Sequence, residues 1–337
     1  MANRTIVVAI DRRLRELIAN DHGETALVAV ADDVVSNEEE EPWSASDLIE
    51  HLDSNVRAII TAWGSPTIDR QVLEAVPNLE IVAHAAGSVK PYYTEDVWQR
   101  GVRVTHAAPV IAEAVAEYTI GAILVGLRGF VTNHALVMEG GWKQSSGGAD
   151  IGGLLAERRV GVIAASHVGQ RVIPLLRAFT DDVVLYDPFV DEERAAALGA
   201  QLIGLDDLMR SSDVVTMHAP ILPETRHMVG RAQLELMKPG ALLVNSARSW
   251  MIDQAALFEI LAAGRISAVL DVFDEEPLPD GSPFRGLPNV VLTPHIAGFT
   301  VETRSRHLSS MVDELARHFS GEPLQHEITV EALDRMA

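Results

Sequence analysis

The chain contains no cysteine, which excludes disulfide frameworks, thiolate nucleophiles and Cys-ligated metal sites. Lysine is almost as scarce: Lys90, Lys143 and Lys238 stand alone among 337 residues. The 27 Lys and Arg residues face 48 Asp and Glu, for a formal charge of −21. A field of that sign repels nucleic-acid phosphates and acidic membrane surfaces, so neither is an expected partner. An anionic ligand would have to be drawn in by a local cation. Long apolar runs are also lacking. The longest, Ile120 to Leu127, is too short by itself to cross a bilayer. Met1–Ile10 has no basic start, long apolar stretch or small-residue cleavage site of a signal peptide. These absences lead to the expectation of a cytosolic protein. The acidic run Glu38–Glu41, before Pro42, reads as a solvated loop.

What is present is an ordinary globular composition, 47% apolar and 22% charged, on a chain long enough for two domains. Short β-branched runs recur early: Thr5–Ile10, Ala26–Val30, Arg57–Thr61, Leu79–Ala83 and Val102–Thr105. Helical stretches such as Ser46–Leu52 and Ile68–Val76 lie between them, and alternation of this kind predicts a parallel sheet covered on both faces. The spacing of Ala, Val, Ile and Leu predicts one long helix over Ile111–Met138, ended by Gly140–Gly141. Ser145–Gly153, rich in Gly and Ser, reads as a surface loop. A second series follows, with strands at Arg159–Ala164, Val183–Tyr186, Val214–His218, Ala241–Asn245, Ala268–Leu270 and Val290–Leu292. Val168–Phe179 and Val301–Phe319 read as helices within and after it.

Val160–Gly169 sits where a strand turns into a helix. A dinucleotide fold needs small residues there, so that backbone N–H groups at the helix N-terminus approach the pyrophosphate. In place of G-x-G-x-x-G this chain has Ala164, Ser166 and Gly169. Ala164 is expected to be tolerated if its φ is negative. Ser166 either loosens binding or adds a hydrogen bond. A degenerate loop of this kind is also what an ordinary tight turn looks like. Asp187, about twenty residues on and directly after a strand, is where a carboxylate takes the adenosine ribose hydroxyls and repels a 2′-phosphate, which favours NAD.

Three later segments end predicted strands, where open α/β sheets bind ligands. They are Val244-Asn245-Ser246-Ala247-Arg248, Leu270-Asp271-Val272-Phe273-Asp274-Glu275-Glu276-Pro277 and Leu292-Thr293-Pro294-His295-Ile296-Ala297-Gly298. In order and spacing, together with Val215–Pro220 and Glu224-Thr225-Arg226, they resemble the D-isomer-specific 2-hydroxyacid dehydrogenase family. Arg100–Val104 and Val115-Ala116-Glu117 match it more loosely. The likeness includes glyoxylate/hydroxypyruvate reductase-like and phosphoglycerate dehydrogenase-like members. It implies a Rossmann NAD domain, residues 108–297, inserted in a flavodoxin-like substrate domain of residues 1–107 and 298–337. Both would be doubly wound parallel α/β sheets. It further implies Arg248 as carboxylate anchor, His295 as proton donor and Glu276 as its partner, a division the chemistry supports. A guanidinium fork suits a carboxylate, an imidazole titrates near neutral pH, and a carboxylate stabilises an imidazolium. The resemblance assigns Ala164, Ser166, His167, Val168, Asp187, Ala219, Pro220, Thr225, Ala247, Asp271 and Gly298 to the cofactor, with Asp271 on the nicotinamide carboxamide. Gly87 and Ser88 would meet the substrate carboxylate. The implied partners are a small anionic 2-oxo or 2-hydroxy acid and a second copy of the chain, paired through the Ile111–Met138 helix; no metal is implied.

The pattern breaks in two further places. Lys90 replaces a usual Asp, either as an aid to anion binding or as a plain loop lysine. Ser249-Trp250-Met251 replaces a small, Gly-containing stretch, with Trp250 shaping a pocket wall or packing at a contact. A rival reading is a NAD(H)-binding sensor or corepressor-like scaffold without turnover; the intact Arg248–Glu276–His295 set argues against it. Hydride transfer of the formate dehydrogenase kind would call for Gln at position 276, where this chain has Glu.

Overall fold

The structure is a computed structural model and describes residues 4–142 and 152–333. The chain folds into two units, Met1–Ile111 with Phe299–Ala337, and Ala112–Gly298. The first unit holds β1 (Thr5–Val8), β2 (Asp33–Ser36), β3 (Val56–Thr61), β4 (Ile81–His84) and β5 (Arg103–His106), ordered β2-β1-β3-β4-β5. The second holds β6 (Val160–Ile163), β7 (Val183–Tyr186), β8 (Gln201–Leu202), β9 (Val214–Met217), β10 (Leu242–Asn245), β11 (Ser267–Leu270) and β12 (Val290–Leu292). Their order is β12-β11-β10-β9-β6-β7-β8. Every strand pairing within the two sheets is parallel. These are the flavodoxin-like and Rossmann orders, with switch points between β1 and β3 and between β6 and β9.

Each sheet is apolar on both faces because its strands are apolar without alternation. In β1, Val7 joins one core while Ile6 and Val8 join the other. In β6, Val160 and Val162 face one core and Ile163 the opposite one. All four residues of β1, β4, β6, β9 and β10 are buried, which leaves the strand ends as the accessible part of each sheet.

Three sequence expectations need correction. Ala26–Val30 is the second half of a helix, Asp21–Val30, and the strand lies after it at Asp33–Ser36. Asn20 caps that helix by accepting from Gly23 N–H, and Gly23 and Leu27, four apart, turn inward. Helical capping and spacing override the β-branched composition. The long helix is two, Ala108–Leu127 and Phe130–Met138, broken at Gly129 with φ +55°. Val301–Phe319 is likewise two, Val301–Ser305 and His307–Ser320. Of the predicted Ser145–Gly153 loop, residues up to 151 lie outside the described residues.

The helix Ala108–Leu127 is long and apolar enough, by length and composition, to cross a membrane. Its apolar side chains have a different use: Ala116, Ala122 and Ile123 are buried in the core beneath β6 and β10. A Cβ at Gly126 would fall 2.7 Å from Leu242 Cδ2, so glycine lets the helix close on the sheet.

The turn from β6 into the helix Gly169–Leu176 is tightest. A Cβ at Gly169 would stand 2.1 Å from the Ala164 carbonyl oxygen, so only glycine fits. Ala164 has φ +72°, against the negative value on which its tolerance was premised. The turn keeps the glycine backbone shape although the residue is alanine, at a cost of about 1–2 kcal/mol. Ala164→Gly is therefore expected to stabilise the protein by about 1 kcal/mol, after allowing for the more flexible unfolded chain. A higher melting midpoint in calorimetry checks this; an unchanged or lower midpoint contradicts it. Gly169→Ala should lower the midpoint.

Candidate active site and cofactor site

The catalytic candidates come from three adjacent strand ends, those of β10, β11 and β12. Past β10, Asn245 shapes the turn: its Oδ1 accepts from Ala247 N–H (3.1 Å) and its amide donates to Arg248 O (2.9 Å). Arg248 emerges half-buried, with Nη1 donating to Ala247 O at 2.7 Å. Burial pushes its pKa down and the Glu276 carboxylate opposes that shift. Arginine starts so far above neutrality that it stays cationic.

Past β12, Thr293-Pro294-His295 makes a three-residue turn closed by His295 N–H donating to Thr293 O (3.1 Å). His295 takes φ +54°, a left-handed backbone unusual for a side-chain-bearing residue. That conformation puts its Nδ1 2.6 Å from Glu276 Oε2. Glu276 is fixed in turn, because its Oε1 accepts from Phe273 N–H at 2.9 Å. With Nδ1 donating to a carboxylate, Nε2 is the nitrogen available to exchange a proton with a substrate. Arg248, Glu276 and His295 line one pocket of about 430 Å³, together with Ile221, Arg226, His227 and Trp250.

The loop carrying His295 is tied down by Asp271. This side chain is fully buried. Its Oδ1 accepts from Thr293 Oγ1 (2.6 Å) and Ile296 N–H (2.9 Å), and its Oδ2 from Ala297 N–H (2.8 Å). The Tyr118 hydroxyl lies 2.5 Å from Thr293 Oγ1. Since Thr293 spends its proton on Asp271, Tyr118 is the donor. Burial raises the Tyr118 pKa, and the nearby Asp271 charge adds to the rise. The sequence pattern placed Asp271 at the cofactor; it carried no sign of the hold on the His295 loop, nor of Tyr118 and Thr293. Neither residue type signals such a role, because the link joins segments 175 residues apart.

The cofactor candidates gather at the β6/β9 switch point. Asp187, just past β7, accepts from Ala165 N–H through Oδ2 (2.8 Å) and from Phe189 N–H through Oδ1 (2.8 Å). Its carboxylate thus lies against the glycine-type loop. Ser166 and Val168 are half-buried and His167 is exposed. Past β9, Thr225 locks the Ala219–Pro220 turn by donating to Pro220 O (2.7 Å) and accepting from Leu222 N–H (2.9 Å). His218 lies beneath the loop, its Cβ 3.7 Å from a Cβ built on Gly169. Burial pushes its imidazole down to about 3, so it adds no charge there. Ala247 and Gly298 flank Arg248 and His295, both half-buried. The tight Ala164–Gly169 turn, open to backbone approach, and a carboxylate at its edge fit a dinucleotide without a 2′-phosphate.

Gly87 and Ser88 belong to the first unit, in the loop after β4, both half-buried; His106 Nδ1 lies 3.1 Å from Gly87 O. Lys90 is exposed, and no described residue forms a salt bridge with it. Trp250 resolves toward the wall reading, since it lines the catalytic pocket.

Residues 120–297 match the sequence profile of the D-isomer specific 2-hydroxyacid dehydrogenase, NAD binding domain. The chain is similar to a glyoxylate reductase of Korarchaeum cryptofilum, 34% identical over 290 residues, covering 84% of this chain and 86% of that protein. It is also similar to a D-3-phosphoglycerate dehydrogenase of Archaeoglobus fulgidus, 34% identical over 268 residues and covering 79% of this chain. The chain spans about half the length of the phosphoglycerate dehydrogenases it matches. Among solved structures, a protein of Thermus thermophilus superposes with a TM-score of 0.76 at 28% identity, covering 97% of this chain and all of that one. With the profile spanning the Rossmann unit and a relative of 34% identity matched over 86% of its length, the chain belongs to the D-isomer-specific 2-hydroxyacid dehydrogenase family, and its second unit is the family's NAD-binding domain.

Proposed function

We propose that this protein interconverts a small 2-oxo acid and the corresponding D-2-hydroxy acid with NAD(H). The observation that carries the reading is the 2.6 Å contact between Glu276 Oε2 and His295 Nδ1, in one pocket with the half-buried Arg248. Similarity to a glyoxylate reductase and to phosphoglycerate dehydrogenases supports the substrate class.

NADH, held by the Ala164–Gly169 loop and Asp187, supplies the hydride when bound. The chain's own groups do the rest. Arg248 presents two parallel N–H donors to a carboxylate, and its burial strengthens that attraction by excluding water. His295 holds a proton at Nε2 for the oxyanion formed from the ketone, and the Glu276 carboxylate stabilises the imidazolium before transfer. In the reverse direction, neutral His295 accepts the hydroxyl proton. Asp271 keeps His295 in its left-handed backbone and so fixes the direction of Nε2.

A homodimer in the cytosol belongs to the same proposal. The helix Phe130–Met138 buries none of its residues, and Phe130, Val131, Val137, Met138 and nearby Trp142 are exposed, an apolar face suited to a second copy. A chain without cysteine suits a reducing compartment.

Four measurements test this reading. NADH oxidation, followed with a panel of 2-oxo acids, should show turnover with at least one; NADH binding with no turnover across the panel would favour a sensor instead. His295→Gln should lower turnover by about 10² to 10⁴ with NADH binding retained, and wild-type rates in the variant would remove its assigned role. Asp271→Asn should lower kcat about 10²-fold through misplacement of His295 and destabilise the fold by about 1–3 kcal/mol through a mismatched buried acceptor. An unchanged kcat would contradict the positioning role. For the dimer, Phe130→Glu should shift the mass in light scattering from two chains to one; a monomeric wild type refutes the pairing.

A further inference from the structure

The pocket of Arg248, Glu276 and His295 contains a second arginine that the proposed reaction leaves without a task. Arg226 follows the short turn Pro223–Thr225, and its guanidinium carbon lies 5.0 Å from the centre of the Trp250 ring. The indole is fixed by its N–H, which donates to Leu222 O at 3.1 Å. Arg226 forms no salt bridge with any described residue, in a chain carrying 48 acidic ones. Stacking on an aromatic face holds a guanidinium in one plane and leaves its edge N–H donors pointing away from the ring. Trp250 occupies the stretch where the family commonly has small residues, so this platform is a feature of this chain.

The remaining charges favour an incoming anion. Both oxygens of Glu276 are taken, by His295 and by Phe273 N–H. His227, next to Arg226, is exposed on the same pocket lining. Asp274 is the other acid there; it and Arg226 are both exposed, so water and salt screen its repulsion and the attraction of Arg226 alike. The guanidinium fork of Arg226 matches a single carboxylate through a bidentate pair.

We propose that Arg226, presented by Trp250, is a specificity subsite for a distal carboxylate, so that the protein prefers 2-oxo dicarboxylic acids to 2-oxo monocarboxylic acids. This rests on the 2-oxo acid reading above and deepens it. Arg248 takes the carboxylate next to the ketone and Arg226 the one at the far end. A pocket of about 430 Å³ has room for both.

Two reduction-resistant probes test the subsite: oxamate, with one carboxylate, and N-oxalylglycine, which adds a second at the far end. Calorimetric titration of the NADH-loaded protein should show N-oxalylglycine binding at least about tenfold more tightly, the scale of one charge-assisted pair. Arg226→Gln should bring the ratio of the two affinities close to one. Arg226→Lys should restore part of it, keeping the charge without the fork, and Trp250→Leu should weaken it by removing the platform. A wild-type ratio near one overturns the proposal, as does a ratio that Arg226→Gln leaves intact. Turnover is read separately with NADH and the 2-oxo acid panel. If no acid is reduced, the catalytic reading falls while the binding ratio still decides the subsite.

Discussion

Asp271 has no exposed surface, yet it is a carboxylate, and a charge in that position survives only if its surroundings supply donors. Three arrive from one segment: the Thr293 hydroxyl and the N–H groups of Ile296 and Ala297. The consequence is a loop pinned on both sides of His295, with the histidine forced to φ +54° between the pins. A left-handed backbone at a residue with a Cβ persists only where neighbouring contacts over-determine it. The contact between His295 and Glu276 depends on this arrangement, and so does everything proposed about proton transfer. Tyr118 extends the network into the helix Ala108–Leu127, which links the loop's geometry to the packing of the NAD-binding unit.

The same unit places two arginines in the catalytic pocket, beside the carboxylates of Asp274 and Glu276. A net charge of −21 would keep an organic acid at a distance were the field uniform. Arg248 and Arg226 line one pocket, the first half-buried and the second exposed over the Trp250 ring. His218, a few ångströms from the glycine loop, is kept neutral by burial and leaves attraction of the dinucleotide to backbone N–H groups. Discrimination between NAD and a 2′-phosphorylated cofactor falls to Asp187, already anchored to that loop.

Much of this was legible in the residues, for identifiable reasons. Parallel strands announce themselves as short β-branched runs, and the two doubly wound sheets followed from their alternation with helices. Arg248, Glu276 and His295 were readable because the order and spacing of their segments resemble one family, with residue types that suit its chemistry. The misses have equally specific causes. Ala26–Val30 looked like a strand because composition does not record that Asn20 caps a helix. The break at Gly129 was hidden inside a continuous apolar pattern. Ala164 takes a positive φ that its side chain disfavours, imposed by Gly169 closing on its carbonyl. The hold of Asp271 on the His295 loop and the stacking of Arg226 on Trp250 join segments distant in sequence, and residue spacing carries no trace of either.

The proposed Arg248–Glu276–His295 constellation drives a stereospecific reduction in which His295 delivers the proton. Chiral separation of the product, with NADH consumption measured in parallel on the best 2-oxo acid, tests it most directly. The expected product is the D-2-hydroxy acid alone, formed one for one with NADH oxidised. The L acid, a racemic mixture, or NADH loss without hydroxy acid would contradict it.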